Sequence, residues 1–229
     1  VFIQAFDSGL DQVALAATNA LPDTSRSGVI ARASSGIKTP QDLVGKKVGV
    51  PGINGLLDVI FRRWLASQGI DTKRVTYVET TFPQMNDLLK AGQVDAVVAV
   101  DPFYGRILSQ ATGYLLDDYV RTLPPGTIAS VYSATSKWAN ANKSVVKDFQ
   151  EALVEAVAFS KINDAAVRES IARYTKLPAT VVANLPVPNL VAKISPDDLK
   201  FWIDLMKERG MLSGYPDPSK TVVPWMAGN

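Results

Sequence analysis

Short apolar runs alternate with longer amphipathic segments along most of the chain, a pattern typical of an α/β fold. The runs that predict strands cover residues 12–18, 27–33, 46–50, 74–80, 94–100 and 129–135. The run at 94–100 has little polar alternation, which is typical of a strand covered on both faces. After residue 135 the pattern is almost entirely helical.

Helices are indicated by their ends as well as by their spacing. Thr39 and Ser195 each precede a proline with an acidic residue close behind, which predicts a helix start at both places. Pro83 predicts another start, and Gly92 its end. The predicted apolar face of helix 56–68 consists of Leu57, Ile60, Phe61, Trp64 and Leu65. That of helix 144–162 consists of Val145, Phe149, Ala152, Leu153, Ala156 and Val157.

The order strand, helix, strand, helix, strand over residues 46–100 predicts three parallel strands of one sheet. We interpret residues 39–123 as one lobe, the second. Residues 1–38 and 124–229 then belong to the first lobe. Two crossing segments, at 34–36 and at 124–126, would form a hinge between the lobes.

The composition argues against several classes of function but adds little to the fold prediction. The 229 residues include 24 basic and 22 acidic side chains, a balance that gives no sign of nucleic-acid binding. No apolar stretch approaches the roughly 20 residues of a membrane span. The chain has neither cysteine nor histidine, so it lacks the commonest general base, thiolate nucleophiles and the commonest transition-metal ligand. We therefore expect no enzyme, no cofactor and no metal.

A glycine-rich loop follows the strand at 46–50, with glycines at 49, 52 and 55 and a helix directly after them. The spacing differs from that of a dinucleotide loop, and no Gly-Lys-Ser/Thr follows as in a phosphate loop. Two interpretations remain: a tight strand-to-helix turn, or a ligand loop. In the second, Gly52, Asn54 and Gly55 would offer backbone and amide donors to a polar ligand atom.

Two further loops follow strands of the same predicted unit. Phe82 comes just after the strand at 74–80, and Asp101 and Phe103 come just after the strand at 94–100. Each has a structural interpretation: Phe82 as a hydrophobic staple, and Asp101 as a helix cap. Because parallel strands end at one edge of a sheet, we also expect all three loops to converge there, where ligands bind in open α/β sheets.

These residues carry a family resemblance. The stretches "SGIKTPQDLVGKKVGVPGINGLLD", "FPQMNDLLKAGQVDAVVAVDPF" and "FWIDLMKERG" resemble the substrate-binding proteins of ABC transporters in the sulfonate, taurine, nitrate and thiamine-precursor group. The resemblance covers nearly the whole chain. It implies the two-lobed fold of type II periplasmic binding proteins, with parallel-core sheets and a ligand captured between the lobes. It also implies that the N-terminal part of the first lobe is absent from this chain, which would leave a sheet edge and apolar faces exposed.

The resemblance implies a periplasmic or extracellular solute receptor, monomeric, that delivers a small organic molecule to the membrane permease of an importer. The chain would be lipid-anchored only through an N-terminus that is not part of it. Gly52, Asn54 and Gly55 would donate hydrogen bonds, Phe82 and Phe103 would form apolar walls, and Asp101 would be a polar contact or a cap. Nucleic acid is not an expected partner.

Two alternatives come from other functional classes. Pyrimidine-synthesising relatives of the fold use an active-site histidine and a cysteine-rich motif, and this chain has neither residue. Effector-binding regions of transcription regulators share the fold type but need a helix-turn-helix, which is not visible here. The charge of the ligand stays open. A helix N-terminus favours an anion, Glu79 and Asp101 oppose one, and Arg32 offsets them only if it faces the site.

Overall fold

The structure, a computed structural model, describes residues 1–22 and 26–224. The strands are β1 (Val13–Ala17), β2 (Ala20–Leu21), β3 (Ser27–Arg32), β4 (Lys47–Val50), β5 (Thr76–Glu79), β6 (Ala96–Val100), β7 (Gly113–Asp117), β8 (Thr127–Ile128) and β9 (Val131–Ala134). The helices are α1 (Phe2–Asp7), α2 (Leu56–Ser67), α3 (Phe82–Lys90), α4 (Phe103–Ser109), α5 (Ser136–Ala141), α6 (Lys143–Ser160), α7 (Asp164–Thr175), α8 (Ala179–Val182) and α9 (Pro196–Glu208).

The chain divides into two units. Unit 1 comprises Val1–Asp23, Pro124–Ala183 and Val187–Asn229, and unit 2 comprises Thr24–Leu123 and Asn184–Pro186. The second division falls between residues 123 and 124, where the sequence analysis also places one. The first differs from the predicted position at 38/39, because β3 pairs with strands of unit 2. The segment 34–36, expected to be a crossing, therefore lies within unit 2.

Unit 2 is built on a five-stranded sheet with the order β5-β4-β6-β3-β7. Strand β4 pairs in parallel with β5 and with β6, as the strand–helix alternation predicts. Strand β3 is antiparallel to both of its neighbours, β6 and β7. As a result β4, β5, β6 and β7 all end at the edge where β3 begins. We call this edge the carboxyl edge.

Helices cover both faces of this sheet. On one face, α3 and α4 bury Met85, Leu89 and Ile107 against Ile30 and Val97. On the other face lies α2, whose predicted apolar stripe is buried except at Leu57. The ring of Phe61 lies 5.6–5.7 Å from the rings of Trp64 and Tyr119. This double coverage agrees with the apolar character of β6, and it holds the carboxyl edge on a rigid support.

Unit 1 contains two antiparallel strand pairs, β1 with β9 and β2 with β8. Its core includes Ala14, Ile128, Leu199 and Val222, and the indole N–H of Trp202 donates to the Ile128 carbonyl at 2.7 Å. Helix α9 begins with the predicted capping box at Ser195. Thr39 also has a capping box, but it opens a short 3-10 helix, Pro40–Leu43.

The apolar face predicted for helix 144–162 is mostly open in α6. Val145 and Phe149 are exposed, and Ala152 and Ala156 are exposed as well, whereas Val146 is the buried side chain of this helix. The Phe149 ring packs edge-on against Tyr132 of β9, at a centroid distance of 5.3 Å. Among the described residues, no helix is long and apolar enough to span a bilayer.

Glycine at position 28 is required by the closeness of β3 to β7. A Cβ atom there would lie 2.6 Å from the Asp117 carbonyl oxygen and 2.8 Å from a methyl group of Leu115. We expect Gly28→Ala to lower the free energy of unfolding by about 1–3 kcal/mol, because the added methyl overpacks the sheet. Gly52→Ala is the matched control, since a Cβ atom there meets nothing within 4 Å. Urea unfolding followed by far-UV circular dichroism measures both, and equal losses would contradict this explanation.

Candidate functional site

All six candidate residues lie in loops or helix starts at the carboxyl edge of unit 2. Gly52, Asn54 and Gly55 lie between β4 and α2, and Phe82 is the first residue of α3, after β5. Asp101 directly follows β6, and Phe103 is the first residue of α4. The predicted convergence of three loops at one edge of the sheet is therefore what the topology produces.

The two phenylalanine rings stack on each other. Their centroids are 5.6 Å apart and their planes differ by 8°. Thr81 fixes the start of α3, since its hydroxyl and its N–H both bond the Gln84 side-chain oxygen, at 2.9 and 3.3 Å. Phe82 packs partly on the core beneath it, which fits its interpretation as a staple, and both rings keep part of their surface open. The pair therefore offers an apolar surface at the carboxyl edge.

Carboxylates already occupy much of the glycine loop. The Ile53 N–H donates to Glu79 Oε2 at 3.0 Å, and the Asn54 N–H donates to Asp58 Oδ2 at 2.8 Å. The Gly55 N–H donates to the Gly52 carbonyl at 3.0 Å. The backbone N–H groups of Asn54 and Gly55, predicted as ligand donors, are thus bonded within the loop in this structure.

Other donors of the loop are open. Among the described residues, the Gly52 N–H, the Asn54 side-chain amide and the N–H groups of Leu56 and Leu57 have no hydrogen-bond partner. Asn54 is exposed and has a φ of 62°, a left-handed conformation that asparagine tolerates better than most residues. The sequence gives no sign of the open donors at the two leucines, because they are backbone N–H groups of a helix start and do not depend on the side chain.

Asp58, in the first turn of α2, anchors the glycine loop by a hydrogen bond. Its side chain is fully buried, and it accepts from Arg62 Nε at 2.8 Å as well as from the Asn54 N–H. The Arg62 guanidinium lies 3.4 Å above the Tyr77 ring. Burial raises the pKa of the Tyr119 phenol, and the charges of Asp58 and Asp118 raise it further. Tyr119 therefore stays neutral and donates to the Leu57 carbonyl at 3.3 Å.

Two similar ion pairs, one buried and one exposed, allow the contribution of Asp58 burial to stability to be measured. Asp58 and Asp164 each pair with an arginine four residues on, at 2.8 and 2.7 Å, but their side chains are 0% and 66% exposed. We expect Asp58→Asn to lower the free energy of unfolding by about 2–4 kcal/mol, because it removes a buried charged acceptor. Asp164→Asn should change it by less than about 0.5 kcal/mol. Urea unfolding at neutral pH gives both values, and similar losses would refute the role assigned to Asp58.

Asp101 makes an ion pair that the sequence does not reveal. Arg26, just before β3, donates from Nε to Asp101 Oδ2 at 2.6 Å, and the Gly105 N–H donates to Asp101 Oδ1 at 3.1 Å. The second contact supports the interpretation of Asp101 as a cap of α4. The Asp101 side chain is 5% exposed and that of Arg26 is 53% exposed.

Arg32, considered in the sequence analysis as an offset for these acids, lies elsewhere. It pairs with Asp95 at 3.2 Å and donates to the Ser34 hydroxyl at 2.6 Å. Asp95 precedes β6, so this contact is at the opposite edge of the sheet. The antiparallel direction of β3 decides this, because it carries residue 26 to the carboxyl edge and residue 32 away from it.

A further acid, Asp117, ends β7 at the carboxyl edge. Burial raises the pKa of the Asp117 carboxyl, and the adjacent Asp118 carboxylate raises it further. Protonation is therefore easier in the folded chain than in the unfolded one. The contribution of Asp117 to stability is most favourable below its unfolded pKa of about 3.9, and it falls as the pH rises through the folded pKa.

We therefore expect Asp117→Asn to be more stable than the unmodified protein at neutral pH, with a difference that shrinks as the pH falls through the raised folded pKa and levels off below about 4. Asp42→Asn is an opposite-sign control in the same unit. Backbone N–H groups of Lys38 and Thr39 lower the pKa of Asp42, so its stabilisation is present at neutral pH and is lost in acid. Urea unfolding at several pH values measures both, and a destabilising Asp117→Asn at neutral pH would contradict the assignment.

Within the part of the chain that the structure describes, no group of acidic side chains is arranged to hold a metal ion. The edge thus combines an aromatic pair, a few open donors and acids that are already hydrogen-bonded. Such an arrangement suits the binding of a small molecule that has both an apolar part and polar groups.

Several solved structures have a similar fold. The alkanesulfonate-binding protein SsuA from Xanthomonas axonopodis pv. citri, bound to MOPS, gives a TM-score of 0.80 at 20% identity, over 96% of this chain and 76% of that one. The periplasmic aliphatic sulphonate-binding protein SsuA from Escherichia coli gives 0.76 at 21% identity, over 99% and 78%. The desulfurization enzyme DSZB gives 0.69 at 16% identity, over 96% and 78%. At these identities the likeness establishes the fold, a periplasmic-binding-protein-like α/β architecture.

Sequence comparison identifies the family. No curated protein matches the chain. The family model described as NMT1/THI5 like matches residues 3–164, from α1 to the start of α7. Because this match covers well over half of the sequence, the chain belongs to the NMT1/THI5-like family.

Proposed function

We propose that the chain is the solute-binding component of an ABC importer, located outside the cytoplasmic membrane, and that it delivers a small organic molecule to a membrane permease. The observation that carries the proposal is the stacked pair of Phe82 and Phe103, open at the carboxyl edge of a rigid sheet. The family and the similar solved structures support it. Two of those structures are sulfonate-binding proteins.

In this proposal the two rings form an apolar wall for the body of the ligand. Gly52 and Asn54 supply polar contacts through an N–H group and a side-chain amide. Gly55 shapes the loop, because it accepts from the Val59 N–H at the start of α2 and its own N–H is bonded to Gly52. Asp101 acts through its neighbours, since both of its oxygens already accept hydrogen bonds.

Binding without chemistry is favoured by the side chains at this edge. The acids Glu79, Asp58 and Asp101 each accept hydrogen bonds from an N–H or guanidinium donor, which gives each of them a structural role at this edge. The 229 residues contain no histidine or cysteine. Conversion of an incubated probe molecule, detected by mass spectrometry of the recovered probe, would contradict binding without chemistry.

The aromatic wall is tested by calorimetry with benzenesulfonate, benzoate and an aminopyrimidine. We expect at least one of them to bind, and Phe82→Ala and Phe103→Ala each to weaken it by about five- to thirtyfold, because each removes apolar and stacking contact worth about 1–2 kcal/mol. Phe159→Ala is the control, since this ring is 53% exposed on α6 of unit 1.

The thermal midpoint of each variant checks that it remains folded. Unchanged affinity in both Phe82→Ala and Phe103→Ala would refute the wall. Native mass spectrometry of the purified protein complements the panel, because a co-purifying small molecule identifies the natural ligand directly. Absence of binding to all three probes, together with no co-purifying molecule, would count against the solute-binding function itself.

A further inference from the structure

We infer that Arg26 selects ligands by charge at the carboxyl edge, by binding the oxyanion of a sulfonate or carboxylate, with Asp101 and Gly105 as positioning residues. The inference rests on the proposed function and deepens it. It assigns a role to a residue that no motif indicated, and it changes the role expected for Asp101 from ligand contact to support.

Among the described residues, the Arg26 guanidinium is hydrogen-bonded through Nε and leaves its terminal nitrogens open. Its Nε donates to Asp101 Oδ2 at 2.6 Å, and its central carbon lies 5.9 Å from the centre of the Tyr104 ring. Its two terminal nitrogens have no hydrogen-bond partner among the described residues, and the side chain is 53% exposed. A guanidinium fixed in this way can offer two parallel N–H donors to two oxygens of one ligand group.

The support behind Arg26 is itself fixed. Asp101 is 5% exposed, its Oδ1 accepts from the Gly105 N–H, and its own N–H donates to the Arg26 carbonyl at 2.9 Å. A Cβ atom on residue 105 would lie 3.1 Å from Asp101 Oδ1 and 3.2 Å from Arg26 Nη2. A glycine in the middle of α4 costs helix stability, and here it leaves room for the ion pair. Because the guanidinium is already oriented, binding an oxyanion does not require its side chain to be ordered.

Two other arginines near this edge and two N–H groups of the glycine loop already have partners. Arg62 donates to buried Asp58, and Arg121 donates to Asp118 at 2.5 Å. The N–H groups of Ile53 and Asn54 donate to carboxylates, so an anion placed on the glycine loop would lie beside Glu79 and Asp58. Arg26 is different, because it combines a fixed position with open donors. Arg26 lies beside Asp101, and Asp101 is two residues before Phe103 of the aromatic pair.

The test compares two probes of nearly equal shape, benzenesulfonate and the neutral benzenesulfonamide, by calorimetry. We expect the unmodified protein to bind the sulfonate at least tenfold more tightly. Arg26→Gln should weaken sulfonate binding by about ten- to a hundredfold, the loss typical of charge-assisted hydrogen bonds, and leave sulfonamide binding within twofold. The sulfonate affinity of Arg26→Lys should lie between those of the unmodified protein and Arg26→Gln, because lysine keeps the charge but not the paired donors. Arg173→Gln, which removes a 74% exposed paired arginine on α7, is the control with the same charge change.

Gly105→Ala provides a second measurement that removes no charge. Alanine favours the helix, so the variant should fold, while the added methyl displaces the guanidinium. We expect it to weaken sulfonate binding severalfold and to leave sulfonamide binding unchanged, a difference that a purely structural role would not produce. Sulfonate affinity within twofold of the unmodified protein in Arg26→Gln would overturn the inference and leave the solute-binding function standing. Failure of both probes with the unmodified protein would count against both.

Discussion

Antiparallel pairing of β3 with β6 and β7 is the constraint on which the candidate site depends. In this register Ser27 lies opposite Val100 and Ala31 opposite Ala96. The start of β3 therefore meets the end of β6, and Arg26 reaches Asp101. A parallel β3 would carry Arg26 to the opposite edge of the sheet, away from Asp101. The pairing also needs glycine at position 28, where the backbone of β7 approaches too closely for a side chain.

The second feature of the carboxyl edge is that its acidic side chains already accept hydrogen bonds from other groups of the same unit. Glu79 and Asp58 accept from N–H groups of the glycine loop, and Asp101 accepts from Arg26 and Gly105. A buried carboxylate is tolerated only when it is paired or hydrogen-bonded in this way. The loop after β4 thus has its conformation set by an acid at the end of the neighbouring β5 and by one in the following helix. An edge that looks acidic in sequence is, in the fold, a network with few free charges.

The aromatic pair and the ion pair lie on the ends of elements whose interiors are well packed. Helices α3 and α4 share one core cluster with the sheet, so the first residues of both helices are held in fixed relation. Binding groups placed on loops and helix ends above such a support can vary without loss of the fold. This explains why proteins with this architecture include both binding proteins and an enzyme. The ligand must therefore be argued from the side chains at the edge.

The sequence by itself determined the kinds of elements, the parallel order of β4, β5 and β6, and the convergence of Phe82 and Phe103. Periodicity and helix-start residues are local signals, and parallel strands must end at one edge. The tertiary structure decided the direction of β3, its membership of unit 2, and the choice of Arg26 over Arg32. An apolar run carries no direction, so its pairing depends on residues far away in the chain. The tertiary structure also decided which loop donors stay open, because Asp58 and Glu79 reach the loop only once the strands and helices are packed.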